Sequence, residues 1–223
     1  GKVERFVEKP GWGQVVTNQV NTGIYVLSRR VMDFVPQNRA FDFGKDLFPL
    51  LLKEGKPLFG FEPEGYWCDM GNCEAYLQCA ADALSGKVRL DLPPSQPVPE
   101  GASQIPPCWI GPGAEIATGA LIGPHAVVGA GSKIGGGSLV QRSVLWAGAA
   151  VGEKTTLYGA ILCRGAEVRR GAVLHEGTVL GENALAEENI TLAEGTRLWP
   201  SRIAPARGKL SFGDGGVIRG SLE

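Results

Sequence analysis

Three short stretches near the amino terminus carry most of the side chains that could act on a small charged molecule. F-V-E-K-P at residues 6–10 puts the Glu8 carboxylate beside the Lys9 ammonium. N-T-G-I-Y at 21–25 puts the Asn21 amide and Thr22 hydroxyl ahead of Gly23, and G-Y-W-C-D-M-G at 65–71 puts Asp69 two residues after Trp67. Each of these residues also has a plain structural use. Glu8 and Lys9 fit an exposed pair at a strand end, Asn21 the start of a strand, Trp67 a core position, and Asp69 the N-terminus of a following helix. The other reactive side chains suggest little. Cys68, Cys73, Cys79, Cys108 and Cys163 are odd in number and form no C-x-x-C pair, which argues against a disulfide framework or a zinc site and for a reducing cytoplasm.

The elements that must position these stretches read as α/β. Residues 2–7 alternate like a strand, residues 21–27 form a second and 57–61 a third. Ser28 is placed to cap a short helix running to Val35. Residues 46–52 read as part of a second helix that stops at Gly55. Residues 73–84 form an amphipathic helix closed by Gly86. Residues 1–88 are too few for a complete doubly wound nucleotide-binding domain. A Pro-rich linker with a first irregular coil occupies 89–109.

The second half has a different grammar. From Ile110 the branched aliphatics recur every six residues through Ile116, Ile122, Val128, Ile134 and Val140. One five-residue step leads to Leu145, Val151 and Leu157, and another to Leu162, Val168, Leu174, Leu180, Ala186, Leu192 and Leu198. Small residues such as Ala114, Ala120, Ser132, Ala166 and Thr178 sit four positions after the aliphatics. Gly, Asn or His usually sits three after, including Gly113, Gly119, Gly165, Asn183 and Asn189. These last types tolerate positive φ best. A period of six fits neither a helix nor one long strand. It fits a short strand and a corner, three of which close one turn of a triangular prism of stacked parallel strands.

This pattern resembles the hexapeptide-repeat family, and the resemblance implies a left-handed parallel β-helix over residues 110–200, of about five coils. It also raises an acyltransferase reading, in which a His on an outer face would act beside coenzyme A. His125 occupies a corner column otherwise held by Gly or Asn, and His175 an exposed corner. Both are read as turn residues, so that reading is weak.

The three amino-terminal motifs, in this order and ahead of such repeats, resemble the sugar-1-phosphate nucleotidyltransferases. The phrase from V-E-K-P-G-W-G through F-D-F-G-K-D-L-F-P-L-L-L to G-Y-W-C-D-M-G is most similar to the mannose-1-phosphate guanylyltransferases. The resemblance implies a reaction between a hexose 1-phosphate and a nucleoside triphosphate, with pyrophosphate leaving and Mg²⁺ neutralising phosphate charge. By that resemblance Lys9 contacts the 1-phosphate, and Glu8 and Asn21 read sugar hydroxyls. Thr22 and Gly23 belong to the same sugar-phosphate site, with Gly23 allowing close backbone approach. Trp67 shapes the sugar pocket and Asp69 is a Mg²⁺ ligand, so Lys9 and Asp69 are the expected catalytic pair.

The expected fold is therefore the C-terminal part of a Rossmann-like nucleotidyltransferase domain followed by an all-β solenoid. The family's G-x-G-x-R-L phosphate loop does not occur in the 223 residues, and the sequence opens at Gly1 as if within a strand. The chain reads as a fragment, inactive alone. A non-catalytic subunit that binds sugar phosphate and assembles partners is the third reading. Residues 201–223 leave the repeat, and F-G-D-G-G-V-I-R-G at 212–220 resembles the opening of a phosphohexomutase domain. With 22 Lys+Arg against 23 Asp+Glu no global field favours nucleic acid or an anionic membrane, and no apolar run is long enough to span a bilayer. The flat prism faces imply a homo-oligomer.

Overall fold

The computed structural model describes residues 1–8, 11–15 and 17–206. The chain forms a short α/β segment followed by a six-turn parallel β-solenoid. By contacts it divides into two units, Gly1–Glu64 and Gly65–Glu223.

In the solenoid, three sheets of six parallel strands form the three faces. One sheet aligns Ile110, Val128, Leu145, Leu162, Leu180 and Leu198. Successive members lie eighteen residues apart except at the two shortened coils, where they lie seventeen apart. Every residue of the aliphatic column is buried, from Ile110 to Leu198. Each such Leu or Ile contributes about 1.5–3 kcal/mol by leaving water. The small-residue column fills the tight corners, with Ala126, Ala166 and Ala172 fully buried.

The five-residue steps stack on one another. Gly159 N–H donates to the Gln141 carbonyl at 3.1 Å, and Ala160 N–H donates to Ser143 Oγ at 3.0 Å. A corner shortened in one coil is thus matched by the next, so the ladder keeps its register. Six coils form rather than about five. The first begins at Ser103–Gln104 and the last closes at Ile203–Ala204, because the backbone ladder continues past both ends of the aliphatic repeat.

The second unit also contains helix α2, Cys73–Leu84; helix α1, Phe48–Lys53, lies in the first. α2 starts on Asn72, whose side chain accepts from Ala75 N–H at 2.8 Å, and Gly86 follows its end at φ +78. Its first turn reaches the solenoid through Tyr76. There Trp146 Nε1 donates to Tyr76 Oη at 3.1 Å.

The first unit is built around Leu47, Phe48 and Leu51, with Phe6, Leu27, Val31, Phe34 and Leu58 packed against them. Phe48 is its hub, with ring centroids 5.0 Å from Phe6 and 4.9 Å from Tyr25. A π-helical turn, Phe43–Leu47, runs directly into α1, so this helix starts earlier than residue 46. Asp42 caps it, accepting from Lys45 N–H at 2.8 Å. The short helix after Ser28 is 3₁₀, Arg29–Phe34, and the Ser28 hydroxyl makes no capping bond.

The three expected strands do not form. Among the described residues of this unit only an antiparallel bridge between Lys2 and Phe59 is seen. Strands need neighbours to satisfy their backbone, and 21–27 has none among the described residues. Its alternate side chains Ile24 and Val26 are 76% and 100% exposed.

Candidate functional site

The first unit brings Asn21, Thr22 and Gly23 into one turn. The Asn21 carbonyl oxygen accepts from Gly23 N–H at 3.0 Å, and its amide nitrogen donates to Tyr25 Oη at 2.7 Å. Tyr25 in turn lies edge-on to Phe48, so the turn is tied to the core of the unit. Asn21 therefore closes a local turn and does not start a strand. Gly23 sits at φ +77 with nothing within 4 Å of an added Cβ, so its conformation, not crowding, calls for glycine. The space above it is open.

Glu8 is half-buried and lies over Gly44 in the first turn of the capped helix. A Cβ on Gly44 would stand 2.6 Å from Glu8 Oε2. This differs from an exposed strand-end residue. Lys9 lies outside the described residues, as does the 212–220 stretch.

Trp67 and Asp69 share an extended loop of the second unit. Trp67 is 48% exposed and is not a core residue. The Asp69 carboxylate is exposed and accepts no hydrogen bond from the described residues. It does not cap α2, a role that Asn72 fills. A Cβ added at Gly71 would stand 3.4 Å from Asp69 Oδ1. A free carboxylate suits a hard cation that keeps most of its waters, so Asp69 fits as one ligand of Mg²⁺. No group of three His, Cys, Asp or Glu able to hold a metal occurs among the described residues.

Sequence reasoning missed the residues that hold these loops. Tyr66 Oη donates to Asp82 Oδ2 at 2.8 Å, while Asp82 Oδ1 accepts from Lys87 Nζ at 2.7 Å and Gln78 Nε2 at 3.0 Å. Asp82 is the most buried residue of α2. The Lys87 ammonium, then the Tyr66 hydroxyl, hold its carboxyl below the usual carboxylate range against the opposing effect of burial. The Tyr66 phenol is pushed well above its ordinary value, first by Asp82, then by burial and by Cys68 and Cys79. The available signal was an acid, Asp82, on the buried face of an amphipathic helix. Tyr25, inside N-T-G-I-Y, was similarly in view.

His125 sits at φ +56 as a corner residue, and His175 is exposed at another corner.

Residues 1–86 match the family described as Nucleotidyl transferase, and residues 104–204 match the GMPPB C-terminal domain. The chain joins a portion of a nucleotidyl transferase domain to a GMPPB C-terminal domain. The nucleotidyl transferase match extends through α2, which by contacts belongs with the solenoid.

A mannose-1-phosphate guanylyltransferase of Mycobacterium tuberculosis is 32% identical over 167 residues, covering 74% of this chain and 38% of that protein. A UTP–glucose-1-phosphate uridylyltransferase of Synechocystis is 34% identical over 89 residues, covering 40% of this chain and 23% of that one. A mannose-1-phosphate guanyltransferase beta-B of Xenopus laevis is 41% identical over 78 residues, covering 34% and 20% respectively. The chain thus spans from a fifth to two fifths of the length of these relatives. Among solved structures, a perosamine N-acetyltransferase of Caulobacter crescentus aligns over 72% of this chain and 74% of its own, at 18% identity and a TM-score of 0.47. The acetyltransferase domain of PglB from Neisseria gonorrhoeae aligns over 47% and 51%, at 16% identity and a TM-score of 0.45.

Proposed function

We propose that this chain supplies the sugar-phosphate side of a site that transfers a nucleotidyl group from a nucleoside triphosphate to a hexose 1-phosphate, with GTP and mannose 1-phosphate as the substrates. The observation that carries the reading is the pairing, in one chain and in order, of a nucleotidyl transferase portion with a GMPPB C-terminal domain. The alignment across both parts to a mannose-1-phosphate guanylyltransferase supports the choice of sugar and base.

In this reading Lys9 meets the 1-phosphate, and Glu8, Asn21, Thr22 and Gly23 hold the sugar. Trp67 walls the pocket and Asp69 is one Mg²⁺ ligand. Bound Mg²⁺ would offset charge on the phosphates. The chain's own groups bind and orient the sugar phosphate, and positioning of this kind is most of what phosphoryl-type transfer asks of a protein. The free Asp69 carboxylate and the open space over Gly23 support these roles.

No G-x-G-x-R-L phosphate loop occurs in the sequence, so the chain alone does not turn over GTP and mannose 1-phosphate. Incubating the purified chain with both and Mg²⁺ tests this, since robust pyrophosphate release contradicts it. The solenoid is the assembly surface. One of its faces presents Leu121, Leu139, Thr156, Val173 and Thr191 outward, an uncharged ladder suited to a second copy. Light scattering on the eluting chain decides between an oligomer and a monomer.

A further inference from the structure

The loop that carries Trp67 and Asp69 has no regular structure of its own, and its key side chains are free. Something must fix where it lies. Tyr66, immediately before Trp67, reaches Asp82 on α2 at 2.8 Å. Asp82 is 8% exposed, and its second oxygen is occupied by Lys87 and Gln78, so both oxygens of the carboxylate are used in holding the loop and the helix end. α2 is itself fastened to the solenoid through Tyr76 and Trp146. None of these six side chains belongs to the proposed sugar-phosphate site.

We propose that Tyr66 and Asp82 are positioning residues that hold the Trp67–Asp69 loop on α2, so that Asp69 is presented to the metal already ordered. The role rests on the reading of Asp69 as a Mg²⁺ ligand. Three residues of extended chain span at most about 11 Å, so a tether at Tyr66 confines the Asp69 carboxylate to a small volume. Without the tether, the loop must be ordered at the moment of binding, which weakens affinity. Residues bonded directly to a metal ligand are worth about ten- to a hundredfold in metal affinity, and a tether three residues from the ligand belongs at the low end of that range.

The test uses the full chain with two readouts. Hydrogen exchange of residues 66–71 is compared in wild type, Tyr66→Phe and Asp82→Asn; Tyr66→Phe keeps the ring and removes only the donor. Mannose 1-phosphate is titrated calorimetrically with and without Mg²⁺ in the same proteins, in Asp69→Ala and in Tyr66→Phe/Asp69→Ala. Tyr66→Phe is expected to speed exchange of the loop about tenfold while α2 stays protected. It is also expected to weaken Mg²⁺-dependent binding about tenfold, and to add nothing once Asp69 is gone. A purely structural defect would weaken binding equally in the Asp69→Ala background, and that result overturns the proposal. So does unchanged loop exchange in Tyr66→Phe. Failure of the wild-type chain to bind mannose 1-phosphate instead overturns the reading of the site, a separate outcome from failure of the tether.

Discussion

Trp146, at a corner of the solenoid, donates its indole N–H to the hydroxyl of Tyr76, two turns before the end of α2, at 3.1 Å. This bond joins the last element of the nucleotidyl transferase match to the GMPPB C-terminal domain. Trp146 is 44% exposed, so the bond is partly open to water and contributes about 1 kcal/mol. Trp146→Phe should raise exchange from the first turns of α2 roughly fivefold. The solenoid core amides should stay protected. Mass-resolved hydrogen exchange reads both regions in one experiment.

The solenoid is largely legible in the sequence, because each hexad sends one residue into a narrow core. Position in the period therefore dictates residue type. Both five-residue steps, into Leu145 and Leu162, could be read for the same reason. What the period could not give was the number of coils. The outer coils are held by backbone ladders through Ser103 and Ile203, where the aliphatic pattern has faded. Nor did it single out Arg142, Lys154 and Ser201 as positive-φ corners, since the stack imposes that geometry whatever the residue prefers.

The first unit was less legible. Ile24, Val26, Phe59 and Phe61 carry strand-like alternation, but alternation needs a paired neighbour before it becomes a strand. The candidate site motifs were visible, while their supports were not. Tyr25 and Asp82 act through contacts that no local spacing encodes, one onto Phe48 and the other onto Tyr66.

Two neighbouring corner positions should respond in opposite ways to small changes. Lys154 holds φ +55, so Lys154→Gly should stabilise the solenoid by about 1 kcal/mol. At Gly152 a Cβ would stand 2.5 Å from the Arg170 backbone nitrogen of the next coil. Gly152→Ala should therefore cost about 1–3 kcal/mol, through overpacking against backbone that cannot yield. Denaturant midpoints of the two variants give the signs directly.

The Tyr66–Asp82 cluster predicts a pH response. Asp82 is held below its ordinary value of 3.8, so its contribution is complete above that value and is lost as pH falls through the depressed one. Tyr66 is raised above its ordinary value of 10.0, so its contribution is complete below pH 10.0 and is lost as pH rises through the higher one. Loop exchange, corrected for intrinsic rates, should be flat across the neutral range. Asp82→Asn should remove the acid-side dependence. In a spectrophotometric titration, the difference between wild type and Tyr66→Phe should show no tyrosinate from Tyr66 at about pH 10, where ordinary tyrosines are half ionised.

The central claim is that Lys9, Asn21 and Asp69, drawn from three separate stretches, serve one phosphorylated sugar. Calorimetric titration of the chain with mannose 1-phosphate and Mg²⁺ tests it most directly, with Lys9→Ala, Asn21→Ala and Asp69→Ala beside the wild type. The account predicts saturable binding by the wild type. Each substitution should weaken it about tenfold or more, with only the Asp69→Ala loss disappearing when Mg²⁺ is left out. Wild-type binding that survives all three substitutions unchanged would contradict the account.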